Sequence, residues 1–420
     1  MSKRRNVFAA QPLLRLSAAC FALATVSAAP AARSQTAPQA AAQTHAMTAQ
    51  DLVTLTRIAA PVASPDGRLV VWQQTSTDPA TYQRKTTLWQ APAAGGAPVA
   101  VPGLPETGAS APAFSPDGRR LYFLAADGAQ KGGSDQLWLI DLAHPGTPAR
   151  QVSHFKADVA GFAIAPNGRR VLVWGAVARD CATLGCGPAD AADTSLTGPG
   201  SGRLHRDGVG FVRHWDAWAT PGVYNRGFAF TLDDTGAVAG EGVALDGAAG
   251  ASGAITADMP TKPFGDGGDP VWAADSASVF FSARLSNRDE PTSTNLDIWQ
   301  SRLDGQGPEN LTAGNRGMDA LPAVSRDGRW LAWAAMARAG YEADRQVVYL
   351  RDLRTGQTRA LTQGWDRSAA SLAWAPDSRS LIATADDVLD HPAFRIDVAS
   401  GKVTRLSLAP AGQKEGHIGA

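Results

Sequence analysis

Two cysteines in the 420-residue sequence, Cys181 and Cys186, are close enough in sequence to form a disulfide or to contribute to a metal site. Five positions apart, they can close a small disulfide loop in an oxidising compartment, worth about 2 kcal/mol by the chain-entropy estimate. A metal site is the alternative. It needs four ligands, and no second cysteine pair or nearby histidine pair completes the set. The pattern therefore favours a structural disulfide.

A second chemically suggestive segment is centred on His214. Arg213, His214 and Asp216 stand beside two tryptophans, Trp215 and Trp218. One interpretation places the three polar side chains on a rim or channel surface, where they contact a ligand or a partner domain. The other interpretation, which the pattern favours, is a hydrogen-bonded blade element with its indoles packed between neighbouring sheets. Both interpretations stay open at this point.

A serine nucleophile of the α/β-hydrolase type is expected in a Gly-x-Ser-x-Gly elbow. The nearest segment, Gly250–Ala254, lacks the last glycine and lies in a Gly/Ala-rich stretch. The sequence has no His-Glu-x-x-His, Walker or dinucleotide motif, and no alternation of strands with long helices. We therefore expect no catalytic residue, no metal ligand and no cofactor in this chain.

The composition excludes some classes of function. With 39 basic and 39 acidic side chains the formal net charge is zero, so the chain lacks the basic surface of a nucleic-acid-binding protein. Its 43 glycines and 27 prolines indicate a turn-rich fold rather than a helical bundle.

Residues 1–33 have the features of a signal peptide. A basic start at Lys3–Arg5 precedes an apolar stretch, Leu13–Val26, and small-residue cleavage sites follow at 26–31. The apolar stretch is shorter than the ~20 residues that a membrane span needs. We therefore predict a periplasmic or secreted product with no membrane span after cleavage. An N-terminal membrane anchor is the alternative.

A repeat of about fifty residues organises the rest of the chain. Six copies of a Ser-Pro-Asp-Gly-like turn are separated by 51, 50, 108, 52 and 50 residues, measured at the following positions: Asp66, Asp117, Asn167, Asp275, Asp327 and Asp377. The interval of 108 equals two periods of 54. It predicts a degenerate copy between residues 168 and 274, and seven units in total.

Each unit has the pattern of four short antiparallel strands. The Ser-Pro-Asp-Gly sequence suits a type I turn, whose aspartate is expected to bond its own backbone. Apolar strands follow, as in Arg120–Leu124 and Val347–Asp352. Four-stranded units at a constant period indicate a β-propeller. We predict an all-β, seven-bladed propeller over residues 57–407, after a linker and short helix at 34–56 and before a tail at 408–420.

The order of these features resembles the N-terminal propeller of prolyl-oligopeptidase-family serine peptidases, particularly bacterial exported dipeptidyl-peptidase and acylaminoacyl-peptidase-like members. The Ser-Pro-Asp-Gly turns alone are shared with TolB-like propellers, so the resemblance depends on further segments. These lie at residues 51–53, 181–186, 211–218, 259–265, 340–345 and 364–368.

In that family the propeller covers an α/β-hydrolase domain that carries the Ser-Asp-His triad, and it restricts entry to small peptides. No position of this chain matches the motifs of that triad. The resemblance therefore implies a non-catalytic propeller, truncated or separately encoded, that admits peptide substrates to such a domain. The alternative is a free-standing periplasmic scaffold of the TolB type that binds other envelope proteins.

Overall fold

The computed structural model describes residues 45–128, 134–144, 146–186, 213–214, 217–218, 222–261 and 270–406. The described residues from Gln50 onward form one compact unit, and of the preceding residues only 45–49 are described. The predicted signal peptide (1–33), the predicted tail (408–420) and Asp216 lie outside the described residues. In the described part of the chain, no helix is long and apolar enough to cross a lipid bilayer.

Six antiparallel sheets follow one another along the chain after a short helix, α1 (Ala49–Thr54), and each sheet is one blade of a β-propeller. Blade 1 consists of β1 (Arg57–Ala63), β2 (Leu69–Thr77), β3 (Arg84–Pro92) and β4 (Val99–Ala100). Blade 2 consists of β5 (Ser110–Phe114), β6 (Arg120–Ala126), β7 (Asp135–Asp141) and β8 (Arg150–Gln151). Blade 3 consists of β9 (Gly161–Ile164), β10 (Arg170–Ala178), β13 (Val223–Leu232) and β14 (Val238–Ala244). A separate hairpin of β11 (Arg213–His214) and β12 (Ala217–Trp218) lies between β10 and β13.

Blades 4 to 6 complete the series. Blade 4 consists of β16 (Val271–Trp272), β17 (Val279–Leu285), β18 (Asp297–Ser301) and β19 (Glu309–Asn310). Blade 5 consists of β20 (Asp319–Val324), β21 (Trp330–Ala335), β22 (Val347–Asp352) and β23 (Thr358–Ala360). Blade 6 consists of β24 (Ser371–Trp374), β25 (Ser380–Thr384), β26 (Ala393–Asp397) and β27 (Val403–Arg405). In blade 4 the short strand β15 (Ala257–Asp258) pairs with the far end of β17, beyond β16.

The prediction of seven blades is wrong, because the described residues form six. β10 and β13 pair without interruption from Arg170↔Thr231 to Ala178↔Val223, so residues 179–222 are an insertion within blade 3. In the part that the structure describes, residues 168–274 contribute to blades 3 and 4 and to the small hairpin, and they form no further four-stranded sheet. The interval of 108 residues therefore reflects inserted loop rather than a hidden repeat.

The repeated Ser-Pro-Asp-Gly sequence closes the turn between the first and second strands of a blade. Asp117 Oδ1 accepts hydrogen bonds from the Ser115 hydroxyl at 2.6 Å and from the Arg119 backbone N–H at 3.0 Å. The next residue, Gly118, has a φ of +71°, which glycine adopts without a steric penalty. The turn aspartates therefore bond their own backbone, as predicted.

Apolar side chains fill the space between neighbouring blades. Because successive residues of a strand point to opposite faces, Leu121 and Phe123 of blade 2 pack against blade 1, and Tyr122 and Leu124 pack against blade 3. Five apolar clusters of this kind join each blade to the next, from blade 1 to blade 6. The sheets are therefore held together mainly by hydrophobic burial.

The antiparallel order places two kinds of connection at opposite ends of the blades. The Ser-Pro-Asp-Gly turns lie at one end, and the loops that follow the second strands lie at the other, together with the connections from each blade to the next. We call this second end the loop face. Its loops begin after the second strands, at residues 78, 127, 179, 286, 336 and 385.

Candidate functional site

The insertion of blade 3 gives the loop face its most distinctive feature. Its first part holds a disulfide between Cys181 and Cys186. Further along, Arg213 and His214 form β11, which pairs with β12 and not with a blade. The side chains of Arg213 and His214, like Asp216, lie outside the described residues. Their contact with a ligand or a partner domain therefore stays a prediction.

A buried ion pair lies beneath the disulfide loop. Arg226 of β13 is 1% exposed, and its Nε and Nη2 donate to Asp246 Oδ2 and Oδ1 at 2.7 and 2.9 Å. Its Nη1 donates to the backbone carbonyl of Cys181. Arg179 adds a second cation, with its Nη1 3.7 Å from Asp246 Oδ2. Because such a two-point pair is strong and directional, it fixes the start of the insertion to the third strand of the blade.

Gly175 lets the disulfide loop approach β10. A Cβ here would be 2.2 Å from the Asp158 carbonyl oxygen and 3.2 Å from Leu184 Cδ2. We expect Gly175→Ala to lower the free energy of unfolding by about 1–3 kcal/mol, because backbone must shift to make room. Urea denaturation measures the loss. Gly364→Ala, where a Cβ would meet nothing within 4 Å, is the matched control, and an equal loss in both variants would contradict this account.

Two cavities are lined by residues of the loop face. The first, of about 490 Å³, lies beside the insertion, between Arg179, Gly222 and the connection at 249–254. The second, of about 630 Å³, lies between blades 4 and 5, and we call it the polar cleft. Its lining includes Arg284, Glu290, Asn295, Asn315 and Arg316.

Buried opposite charges line the polar cleft. Arg284 and Glu290 are both 5% exposed. Burial lowers the pKa of Arg284, while the nearby carboxylates of Glu290 and Glu342 raise it. The amide oxygen of Asn295 is buried and has no hydrogen-bond partner in the described structure. Such a cleft can accept a ligand that offers N–H donors, as a peptide backbone does.

A buried carboxyl group lies next to this cleft, at the start of β20. Asp319 Oδ1 accepts a hydrogen bond from Trp333 Nε1 at 2.7 Å, and Oδ2 accepts one from Asn315 Nδ2 at 3.0 Å. Burial raises the pKa of Asp319 to about 7, against the effect of these two donors, and the charge of Asp297 adds to the rise. This carboxyl group therefore titrates near neutral pH.

Sequence reasoning did not identify the residues of the polar cleft or the ion pair beneath the disulfide. One signal was present in β17. Arg284 follows the run Val279–Ala283, which is apolar except for Ser282 and is buried throughout, and a charge inside such a strand needs a buried partner. Arg226 and Asp246 gave no comparable signal, because only the pairing of the strands brings them together.

Comparison with known proteins supports a relation to part of a peptidase. No family model matches the chain. Dipeptidyl-peptidase 5 of Porphyromonas gingivalis is 26% identical over 365 residues, which cover 86% of this chain and 49% of that protein. The protein of the same name from Porphyromonas endodontalis is 26% identical over 314 residues, covering 74% and 42%. The chain thus spans about half the length of the curated relatives it matches.

Solved structures show the same fold. An acylaminoacyl peptidase of Pyrococcus horikoshii matches with a TM-score of 0.57 at 15% identity, covering 86% of this chain and 47% of that one. The β-propeller domain of the Trilobed protease from Pyrococcus furiosus, described as having an open velcro topology, matches with a TM-score of 0.50 at 13% identity and covers 84% of both chains. These matches support a β-propeller fold.

Proposed function

We propose that this chain is the propeller of an exported serine peptidase and that it admits peptides to a catalytic domain without hydrolysing them itself. One observation carries the proposal: the match to dipeptidyl-peptidase 5 extends over 86% of this chain but over only 49% of that relative. The dipeptidyl-peptidase activity that the relative's name states would belong to the whole peptidase, that is, to the propeller together with its catalytic domain, and not to the propeller alone. The catalytic serine would lie in the part of that protein that this chain does not match.

The loop face is the side on which we place contact with the catalytic domain. It combines an insertion whose start is closed by the Cys181–Cys186 disulfide, a cavity of about 490 Å³ beside that insertion, and the polar cleft of about 630 Å³ between blades 4 and 5. The Arg226–Asp246 pair holds the base of that insertion in one position. In this proposal the disulfide-bonded start of the insertion and the polar cleft between blades 4 and 5 belong to an opening that admits extended peptides and excludes folded proteins. Arg213, His214 and Asp216 are our candidates for contacts at its rim.

Purified chain offers a direct test of the non-catalytic part of the proposal. We expect no hydrolysis of dipeptidyl chromogenic substrates above the buffer blank and no labelling by a fluorophosphonate probe. Ser252→Ala is the matched control, because Ser252 lies in the Gly250–Ala254 segment, the nearest to a nucleophile elbow in the sequence analysis. Hydrolysis by the wild-type chain that disappears in Ser252→Ala would show that the chain has its own nucleophile, and the proposal would fail.

A further inference from the structure

The loop between the second and third strands of blade 6 is a tight turn with two exposed apolar residues. The Asp387 N–H donates to the Asp390 carbonyl at 2.9 Å, and the Asp390 N–H donates to the Asp387 carbonyl at 3.1 Å. Val388 and Leu389 lie between them and are 91% and 86% exposed. They are the two most exposed large apolar side chains in the described part of the chain. We call these two residues the blade-6 tip.

The fold of the blade does not explain the residue types at the blade-6 tip. Val388 has a φ of +61°, a conformation that suits glycine and that a β-branched residue rarely adopts. Turns of two residues usually hold glycine or asparagine at such a position. Neither Val388 nor Leu389 belongs to the five apolar clusters of the described residues. The valine therefore strains the backbone without adding to the core, and such strain is concentrated at functional sites.

Two arginines hold both ends of this turn in place. Asp387 Oδ1 accepts a hydrogen bond from Arg367 Nη2 at 2.9 Å, and Oδ2 accepts one from Arg405 Nη1 at 2.7 Å. Arg405 Nη2 also donates to Asp390 Oδ2 at 3.1 Å. The Arg367 guanidinium, together with Arg405, holds the pKa of Asp387 below its ordinary value. Because the turn is already fixed, little conformational freedom is lost when a partner covers it.

The last strand of the propeller ends beside the blade-6 tip. Arg405 is the last residue of β27, and β27 runs towards the loop face, as the fourth strand of each blade does. The Leu406 N–H donates to the carbonyl of Ala393, which begins the strand that follows the turn. Polypeptide that follows β27 therefore leaves blade 6 at the base of the turn. A domain that comes next in the chain starts within reach of Val388 and Leu389.

The blade-6 tip is too small to bind a separate protein by itself. A stable interface between free partners buries about 800 Å² on each side, and two aliphatic side chains contribute much less. The requirement is lower for a domain on the same chain, because its contact is intramolecular and takes place at a high effective concentration. The tip therefore suits a domain joined after β27 better than it suits a free partner or a second copy.

We propose that Val388 and Leu389 insert into an apolar recess of the catalytic domain and so fix the orientation of that domain on the propeller. This inference rests on the proposed function, which provides the catalytic domain, and it names the propeller residues that hold it. Asp387 and Asp390 are already paired with arginines, so they bring no unpaired charge into the contact.

The reactivity of a cysteine at position 389 tests the proposal. Leu389→Cys is introduced into this chain and into the native product of the source gene, and modification by a maleimide is followed by mass spectrometry of the peptide concerned. Cys181 and Cys186 form a disulfide and do not compete. We expect position 389 to react at least about tenfold more slowly in the native product, because the catalytic domain covers it.

Val99→Cys is the matched control. Val99 is 52% exposed at the start of β4, at the end of blade 1 that is opposite to the loop face, so it should react at the same rate in both proteins. Val99 and Leu389 are both exposed, so circular dichroism of both variants of this chain should match the wild type.

Equal reactivity of position 389 in the two proteins would overturn the docking contact. The proposed function would survive that result if a fluorophosphonate probe still labels the native product. Slow reaction of Leu389→Cys in this chain alone would also overturn the contact, because part of the chain itself would then cover the tip. A native product no larger than this chain would remove both the proposed function and the docking contact.

Discussion

Replacing Arg226 with methionine is expected to lower the free energy of unfolding by about 3–5 kcal/mol, the usual cost of removing one partner of a buried ion pair. The variant leaves Asp246 buried with only the more distant Arg179 nearby, at 3.7 Å. It also leaves the Cys181 carbonyl without the guanidinium donor. Chemical denaturation with the disulfide intact measures the loss.

Two further variants separate the cost of an unpaired charge from the loss of packing. Arg226→Met with Asp246→Leu removes both members of the buried pair and leaves only the partly exposed Arg179 without its carboxylate, so we expect it to recover part of the lost stability. Arg302→Met breaks an exposed pair with Glu309, whose atoms are 3.3 Å apart, and should cost less than about 1 kcal/mol. A loss for Arg226→Met no larger than that for Arg302→Met would contradict the anchoring role of the buried pair.

Stability should also fall as pH rises towards and through neutrality, because of Asp319. Its carboxyl group ionises near pH 3.8 in the unfolded chain but at about 7 in the folded protein. Between these values the folded protein keeps a proton that the unfolded chain has released, so raising the pH favours unfolding. The contribution is fully present below about pH 4 and lost above about pH 7, and it amounts to about 4 kcal/mol over the whole window.

The variant Asp319→Asn isolates this contribution. Asparagine keeps an acceptor for Trp333 Nε1 but cannot ionise, so the stability of the variant should change much less between pH 5 and pH 8 than that of the wild type. Asp304→Asn, at an exposed turn, should keep the wild-type pH dependence. Denaturation curves at both pH values give the comparison. Parallel behaviour of the wild type and Asp319→Asn would show that another group controls the effect.

The repeating part of the fold could be predicted because its signals are local. Each Ser-Pro-Asp-Gly turn carries its own hydrogen bonds, such as that from Ser115 to Asp117, so the turns can be recognised without knowing which sheets pack together. The number of blades depends on long-range pairing instead. Ala178 pairs with Val223 across the insertion. The Gly/Ser/Ala-rich composition of residues 189–210 indicates a long loop, but composition alone does not show whether the rest of the interval forms a degenerate seventh blade.

The same distinction applies to the candidate site. The cysteine pair could be singled out because its members are close in sequence, and the structure joins them in a disulfide. Arg226 and Asp246 are far enough apart in sequence that their pairing follows only from the strand register. Burial raises the pKa of Asp319. Which residues are buried depends on how the blades pack, and the composition of the chain does not reveal it.

The native product in the source cell tests the central claim most directly. An antibody raised against the propeller should be used together with a fluorophosphonate probe on the same extract. We predict a band clearly larger than the 420-residue chain that both reagents label, because the propeller would be joined to a catalytic serine domain. A band no larger than this chain, recognised by the antibody but never labelled by the probe, would contradict the account and favour a free-standing scaffold that binds other envelope proteins.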